Sequence, residues 1–378
     1  MPTIKTLCRH TALAIALLCG TPAMATPDDV AYVPVPGAAP TPIEERAGLR
    51  SAEELEVFLD GVMADQLPSH GLAGAIVAVV KDGELFFVKG YGYADIDAQR
   101  PMNGETSLIR PGSISKLFTW TALMQLVERG QVDLDTDVNR YLTSLKVPDT
   151  FPEPITARNL LTHTAGLEDG ALGYLIVNSA DELKPIAEFL QLHMPERVRP
   201  PTRDFGRGDN AAYSNWGTAL AGVIVEDVSG QSFDEYVEQN IFQPLGMTRS
   251  TFREPLPEAM QADTAVGYLH KAGTFKAHDF EFIHNFAPAG SVTASVPDMA
   301  RFMIAHLQQG RYGDKQILKP ETIALMHSRQ FSPHPHVNGS GLGFYETYVN
   351  GRRIIGHGGD LSAYHSDLSL LPDEGVGL

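Results

Sequence analysis

Ser113 and Lys116, three residues apart, are the pair in this chain best placed to do chemistry. They stand in the stretch Arg110-Pro111-Gly112-Ser113-Ile114-Ser115-Lys116-Leu117-Phe118-Thr119-Trp120, where a loop ends at Gly112 and an apolar, helix-periodic run begins at Leu117. Residues three apart share one face of a helix, so the hydroxyl and the amine can point into the same space. A serine at a helix N-terminus also has unpaired backbone N–H groups and the positive end of the helix dipole beside it. The pair is therefore a candidate nucleophile with its own base. Many helices hold this spacing by chance, so the chain must supply three further parts. These are a second proton-handling group, a polar group to hold an amide or ester, and an oxyanion hole for the tetrahedral intermediate.

Two later segments offer them. Tyr213-Ser214-Asn215 precedes an apolar helix that starts at Trp216. Tyr213 could shuttle a proton if the Lys116 ammonium lowers its pKa, and Asn215 could donate to a substrate carbonyl. The competing reading is a helix N-cap at Asn215 with a packed tyrosine. Gly356-His357-Gly358-Gly359-Asp360 lies between strand-like segments. Its glycines would let a substrate backbone approach and could place a backbone N–H as an oxyanion donor. The competing reading is a plain turn.

The elements that must position these residues follow from periodicity and caps. Ser51-Ala52-Glu53-Glu54 is a capping box opening a helix through about Gln66. Ala73 to Val80 and Leu85 to Val88 flank Asp82-Gly83 as a hairpin. Leu117 to Arg129 reads as a helix ended by Gly130, Trp216 to Val228 as one stopped by Gly230, and Ser295 to Gln309 as another. Phe344 to Val349, Arg352 to Ile355 and Ser366 to Leu371 read as strands. The fold class is α+β, with one antiparallel sheet built from both ends of the chain, packed against helices, and a helical insert between. The sheet lobe is expected at about 51–110 and 285–378, the helical lobe at about 111–284. A cleft between such lobes is a usual place for a site.

Ser-x-x-Lys, Tyr-x-Asn and His-x-Gly, in that order, resemble the serine β-lactamase and penicillin-binding-protein superfamily, whose signature is S-x-x-K, S-D-N and K-T-G. The match is closer to its class C and peptidase/esterase-like branch, where Tyr-x-Asn replaces Ser-Asp-Asn. Leu160-Leu161-Thr162-His163-Thr164-Ala165-Gly166-Leu167 looks like that branch's Leu-Leu-x-His-Thr-Ser-Gly-Leu segment, and Pro288-Ala289-Gly290-Ser291 with Asp298 like its Ala-Gly-Gly…Asp segment. The resemblance implies the same two-part architecture. It also implies that Ser113 is acylated, that Lys116 and Tyr213 share its proton, and that Asn215 holds the substrate amide. The backbone N–H groups of Ser113 and Asp360 would form the oxyanion hole beside Gly359, with His357 at the pocket edge. How Lys116 and Tyr213 divide the base role stays open. His357 stands where β-lactamases carry a lysine, a permanent cation near the substrate carboxylate, whereas histidine is mostly neutral at pH 7. That departure points to an amide or ester substrate of the peptidase/esterase kind. The alternatives are a true β-lactamase or D,D-carboxypeptidase and, in another class, a non-catalytic peptidoglycan- or ligand-binding relative.

Other residues take plainer readings. His163 is expected to brace a loop, Trp120 and Trp216 to sit in the core, and His334-Pro335-His336 to form an exposed loop without a third metal ligand at a familiar spacing. No cofactor or metal is expected. There is no Gly-x-Ser-x-Gly elbow and no His-Glu-x-x-His.

The ends and the composition set the compartment. Lys5 and Arg9, the apolar run Thr11 to Cys19 and the small-x-small site Ala23-Met24-Ala25 read as a signal peptide over residues 1–25. Both cysteines, Cys8 and Cys19, lie inside it, which leaves no disulfide framework. Leu18 is bulky where a lipid-modified Cys19 would need a small neighbour. Residues 26–50, with Tyr32 to Pro42 rich in proline, form an extended leader before the hydrolase-like domain at 51–378. Removing Lys5 and Arg9 takes the formal charge from −17 to −19. Such a chain is a poor candidate for nucleic acid or anionic membrane surfaces. The expected partner is a small-molecule or peptide substrate, and the expected location periplasmic or secreted. Leu368 to Leu378 reads as a strand, a turn and the opening of a partner strand. A fragment is expected, with further strands, a helix or a membrane anchor following.

Overall fold

A computed structural model of the chain describes residues 49–378 apart from 168, 170–174 and 202–210. The signal-peptide and leader readings fall on residues outside the described ones. Helix α1 (Ala52–His70) begins where the Ser51 side chain accepts the Glu54 N–H at 3.2 Å, and ends at Gly71 in the left-handed region. It runs past the expected Gln66 because Pro68 is accommodated near its end.

The main sheet has seven strands. They are β1 (Gly74–Lys81), β2 (Glu84–Asp95), β3 (Arg100–Pro101), β4 (Tyr345–Val349), β5 (Arg352–Leu361), β6 (Tyr364–Leu371) and β7 (Val376–Gly377), in the spatial order β4-β5-β6-β7-β1-β2-β3. Every pairing is antiparallel. The sheet is thus assembled from both ends of the described chain, with helices against it. Strand β7 pairs with β1 and β6 through Val376 and Gly377, and Leu378 exchanges two backbone hydrogen bonds with Ser369 of β6. A cavity of about 690 Å³ is lined by Met63, Ile76, Tyr268 and Tyr364 among others. Ser113, Lys116, Tyr213 and Asn215 do not line it, so cavity size does not locate the chemistry.

The glycine-rich segment 356–360 is not a turn between strands. It is the second half of β5, paired Gly358↔Asp367, Gly359↔Ser366 and Asp360↔His365 with β6. The glycines are there because another backbone lies against the strand. A Cβ on Gly359 would come within 1.9 Å of the Pro111 carbonyl oxygen. Gly112, at φ +54°, returns the contact: a Cβ there would lie 2.9 Å from the Asp360 backbone nitrogen. Only glycine adopts that φ freely.

Helix α2 (Ser115–Glu128) follows a 3₁₀ turn at Gly112–Ile114 and is buried from Ser115 through Leu126. A helix apolar nearly all round is a core helix, and α2 runs through the centre of the molecule. Phe118 packs against Phe242 and Phe302 at ring distances of 5.3 and 4.2 Å. Two of its buried hydroxyls are paired: Ser115 Oγ donates to Gly112 O at 2.6 Å, and Thr119 Oγ1 to Pro288 O at 2.6 Å. Around it stand α3 (Ala157–Leu161), α4 (Asn215–Ser229), α5 (Val296–Leu307) and α6 (Pro320–His327). Trp120 and Trp216 are fully buried. Among the described residues, no helix is long and apolar enough to cross a membrane.

Two histidines in this core face each other. His306 Nδ1 of α5 lies 3.2 Å from His327 Nε2 of α6, and Thr121 Oγ1 of α2 lies 3.3 Å from His306 Nε2. Burial holds both well below the usual histidine range, His327 at about 3. In the unfolded chain each titrates near pH 6.5. Below that pH the unfolded chain takes up protons that the fold refuses. The stability held above about pH 6.5 is therefore lost as pH falls toward the folded values. Between pH 7 and 5.5 the expected loss is on the order of 1 kcal/mol per buried histidine. Urea midpoints of the protein at the two pH values measure it, and an unchanged midpoint would contradict neutral burial.

Candidate functional site

The site is built where α2, α4 and β5 meet. Lys116 is 0% exposed. Its Nζ lies 2.7 Å from Ala289 O, 2.8 Å from Asn215 Oδ1 and 3.0 Å from Ser113 Oγ. Burial pulls its pKa down to about 7, and the Asp169 carboxylate pulls the other way. All three contacts serve the ammonium as N–H donations, and they also serve the neutral amine that a pKa of about 7 makes accessible. Two of the oxygens are carbonyls, which can only accept, and they take the two N–H bonds of that amine. The third is a hydroxyl, which can donate, and it then faces the lone pair.

Asn215 reaches Lys116 because it is not the N-cap of α4. Ser214 is: its Oγ accepts the Gly217 N–H at 2.8 Å, leaving the Asn215 side chain free to turn toward the lysine. Tyr213 lies over Lys116, with Nζ 4.8 Å from its ring centroid. Although 39% of the residue's surface is open, burial of its surroundings pushes the hydroxyl well above its ordinary value, and the Ser113 hydroxyl beside it only partly offsets this. The condition on which Tyr213 was to shuttle a proton, a pKa lowered by Lys116, is therefore not met. Burial dominates, and Tyr213 is a neutral phenol at pH 7.

His357 also departs from expectation. It is 4% exposed and lies behind Tyr213 and Tyr345, with ring centroids 6.1 and 5.0 Å away, rather than at the pocket edge. The alternation of β5 explains this: Ile355, His357 and Gly359 share the inward face, while Gly358 and Asp360 face out. Its Nδ1 lies 2.5 Å from Gly358 O, which can only accept, so that nitrogen carries the proton. Burial and the nearby Lys116 draw its pKa down to about 4. Gly359 and the Asp360 backbone nitrogen lie against the Pro111–Gly112 turn, next to Ser113. The Asp360 carboxylate faces away and pairs with His365 Nδ1 at 2.6 Å. The structure thus brings Ser113, Lys116, Tyr213, Asn215, His357, Gly359 and Asp360 to one place.

Four residues in this frame were given no role in the sequence reading, although Arg110 and Ala289 lie in segments that it quoted. Asp169 accepts the Asn215 backbone N–H and also bonds that of Trp216, holding the start of α4. Ala289 contributes only a backbone carbonyl. Arg110, buried just before the Ser113 turn, donates to Glu254 Oε1 at 2.6 Å and to Glu281 O at 2.7 Å, and stacks over Phe280 at 4.0 Å. The Glu281 carboxylate in turn accepts from the Ser362 N–H and hydroxyl, two residues past Asp360. A chain of charged hydrogen bonds therefore ties the Ser113 turn to the tip of the β5–β6 hairpin.

The family model described as Beta-lactamase matches residues 57–378. The chain belongs to that family. Among its relatives are Protein flp of Staphylococcus aureus (strain N315), 25% identical over 336 residues, and the putative penicillin-binding protein PbpX of Bacillus subtilis (strain 168), 27% identical over 311. The first match covers 87% of this chain and 63% of that protein, the second 80% and 70%. The chain thus spans less than two thirds of the length of flp. Solved structures with the same fold include the octameric penicillin-binding protein homologue from Pyrococcus abyssi, at TM-score 0.71 and 29% identity over 87% of this chain and 72% of that one. Another is a penicillin-binding protein from Bacillus halodurans, at 0.64 and 25% over 84% and 92%.

Two outcomes follow from the family member's geometry. Gly359→Ala forces a Cβ into the Pro111 carbonyl, and the expected result is about 1–3 kcal/mol of lost stability and, on the expectation that Ser113 is the nucleophile, loss of its labelling. Thermal melts and labelling by a serine-directed probe read the two separately. Asp169→Asn keeps an oxygen for the Asn215 N–H but removes the charge that supports the Lys116 ammonium. The Lys116 pKa then falls below about 7, and the acid limb of the pH–labelling profile moves to lower pH. A limb moving upward would contradict the assignment.

Proposed function

We propose that this chain is an exported serine hydrolase that forms an acyl-enzyme at Ser113 on an amide or an ester. The observation that supports it best is the placing of Lys116: its buried Nζ lies within hydrogen-bond reach of two carbonyl oxygens, which can only accept, and of the Ser113 hydroxyl, so that on losing a proton it would turn its lone pair to that hydroxyl. In this reading Ser113 Oγ attacks the substrate carbonyl as its proton passes to Lys116 Nζ. The backbone N–H groups of Ser113 and Asp360 receive the negative charge that develops on the carbonyl oxygen. The proton then moves from Lys116, by way of the neutral Tyr213 hydroxyl, to the leaving amine or alcohol. Water enters and the same groups run in reverse to release the acid. Asn215, held by Lys116 through its Oδ1, presents its NH₂ to the substrate amide.

The substrate class follows from His357. Buried and neutral, it supplies no permanent cation for a carboxylate, which favours short acyl esters and D-amino-acid amides over β-lactams. The penicillin-binding names of the relatives favour the second reading, a β-lactamase or D,D-carboxypeptidase. Purified mature protein should hydrolyse p-nitrophenyl esters or D-amino-acid amides far better than nitrocefin. Ser113→Ala should lower that turnover by about 10⁴-fold or more and abolish labelling by a fluorophosphonate. Comparable nitrocefin turnover would support the second reading, and absence of labelling would leave a non-catalytic binding protein.

A further inference from the structure

His163 has no part in the scheme above. It sits in the segment that resembles Leu-Leu-x-His-Thr-Ser-Gly-Leu, just after α3, and it is 6% exposed. Its backbone is in the left-handed region at φ +55°, which a residue other than glycine adopts only where its surroundings hold it there. Those surroundings are specific. The His163 N–H donates to Leu160 O at 3.2 Å, and the His163 carbonyl accepts the Ala212 N–H at 2.8 Å. Its Nδ1 accepts the Ser214 N–H at 3.2 Å. That N–H can only donate, so Nδ1 is unprotonated and Nε2 carries the proton. The ring lies 4.5 Å from the Tyr213 ring on one side and edge-on to Trp120 of α2, at 6.0 Å, on the other.

These bonds bracket the second motif. His163 holds the N–H groups of Ala212 and Ser214, and Asp169, six residues on, holds that of Asn215. Between them lies Tyr213, whose ring has His163 beside it and Lys116 across its face. We propose that His163 is a positioning residue: it clamps the Tyr213–Asn215 turn so that the Tyr213 hydroxyl meets Ser113 and Asn215 Oδ1 meets Lys116. The left-handed backbone is what lets one residue offer both its carbonyl and its ring nitrogen to the same incoming strand of chain. The catalytic consequence rests on the hydrolase reading, while the clamp itself does not.

Asparagine separates the contributions, because it tolerates the left-handed region and its Oδ1 can stand in for Nδ1 as acceptor. Alanine offers neither. The mature protein, His163→Asn and His163→Ala are compared by amide hydrogen exchange at Ser214 and by steady-state ester hydrolysis, with melting curves establishing the folded fraction. The Ser214 amide should be protected in wild type and in His163→Asn and exchange freely in His163→Ala. Turnover per folded molecule should fall about 10- to 100-fold in His163→Ala, mostly in kcat with KM little changed, and recover largely in His163→Asn. A folded His163→Ala with Ser214 still protected, or with kcat within about twofold of wild type, overturns the proposal. If the wild type neither hydrolyses esters nor labels at Ser113, the hydrolase reading fails, and the clamp is judged on Ser214 exchange alone.

Discussion

The buried amine of Lys116 is the constraint around which this fold is arranged. An ammonium removed from water costs several kcal/mol unless it is paired, and among the described residues no carboxylate bonds it. Asp169 acts on it through space, while its direct neighbours are two carbonyl oxygens and a hydroxyl. That environment is too poor to keep the ammonium at its ordinary pKa and too polar to leave the neutral amine unsatisfied. The balance falls at about 7. Each element around the site helps to hold this balance. Helix α2 buries the stem, the short helix at Ala287–Gly290 brings the Ala289 carbonyl, and α4 brings Asn215.

A second requirement is that a strand and a turn come into backbone contact. The Pro111–Gly112 turn and β5 approach more closely than any side chain on Gly359 would permit. That closeness places the Asp360 N–H beside Ser113, and it leaves no room there for a clamp made of side chains. The clamp is made farther out instead, through Arg110, Glu281 and Ser362. Arg110 and Glu254 are both buried, and a buried pair of this kind is worth more for fixing geometry than for net stability.

How much of this was legible in the sequence depends on which atoms act. Side-chain motifs with a fixed spacing, such as Ser113 with Lys116 or Tyr213 with Asn215, announce themselves. The strands and core helices did so through periodicity. The glycines of 356–360 left two readings open, because glycine marks both turns and close backbone approach, and composition does not separate the two. The segment of Ala289 stood out through the resemblance, but the role of its carbonyl did not, since a carbonyl belongs to every residue. Asp169 was invisible since its partner lies 46 positions away in sequence and is a backbone N–H. The inward position of His357 follows from the parity of β5, which could be counted only once the segment was known to be strand.

That parity has a consequence for recognition. A residue at position 357 points inward, behind Tyr213 and Tyr345, whatever its type, because the register with β6 is fixed along seven paired positions from Ile355 to Leu361. A lysine there is long enough to extend its ammonium past the rings toward the pocket. A histidine is not, and Gly358 O has already fixed its proton on Nδ1. The substitution therefore does more than exchange a strong cation for a weak one. It withdraws the third motif's side chain from the substrate and leaves the strand's backbone, with the Asp360 N–H, as what β5 offers at Ser113. On the hydrolase reading proposed above, charge on the substrate would matter less in such a site than the geometry of its carbonyl, and that geometry would be set by the contact between β5 and the turn before α2.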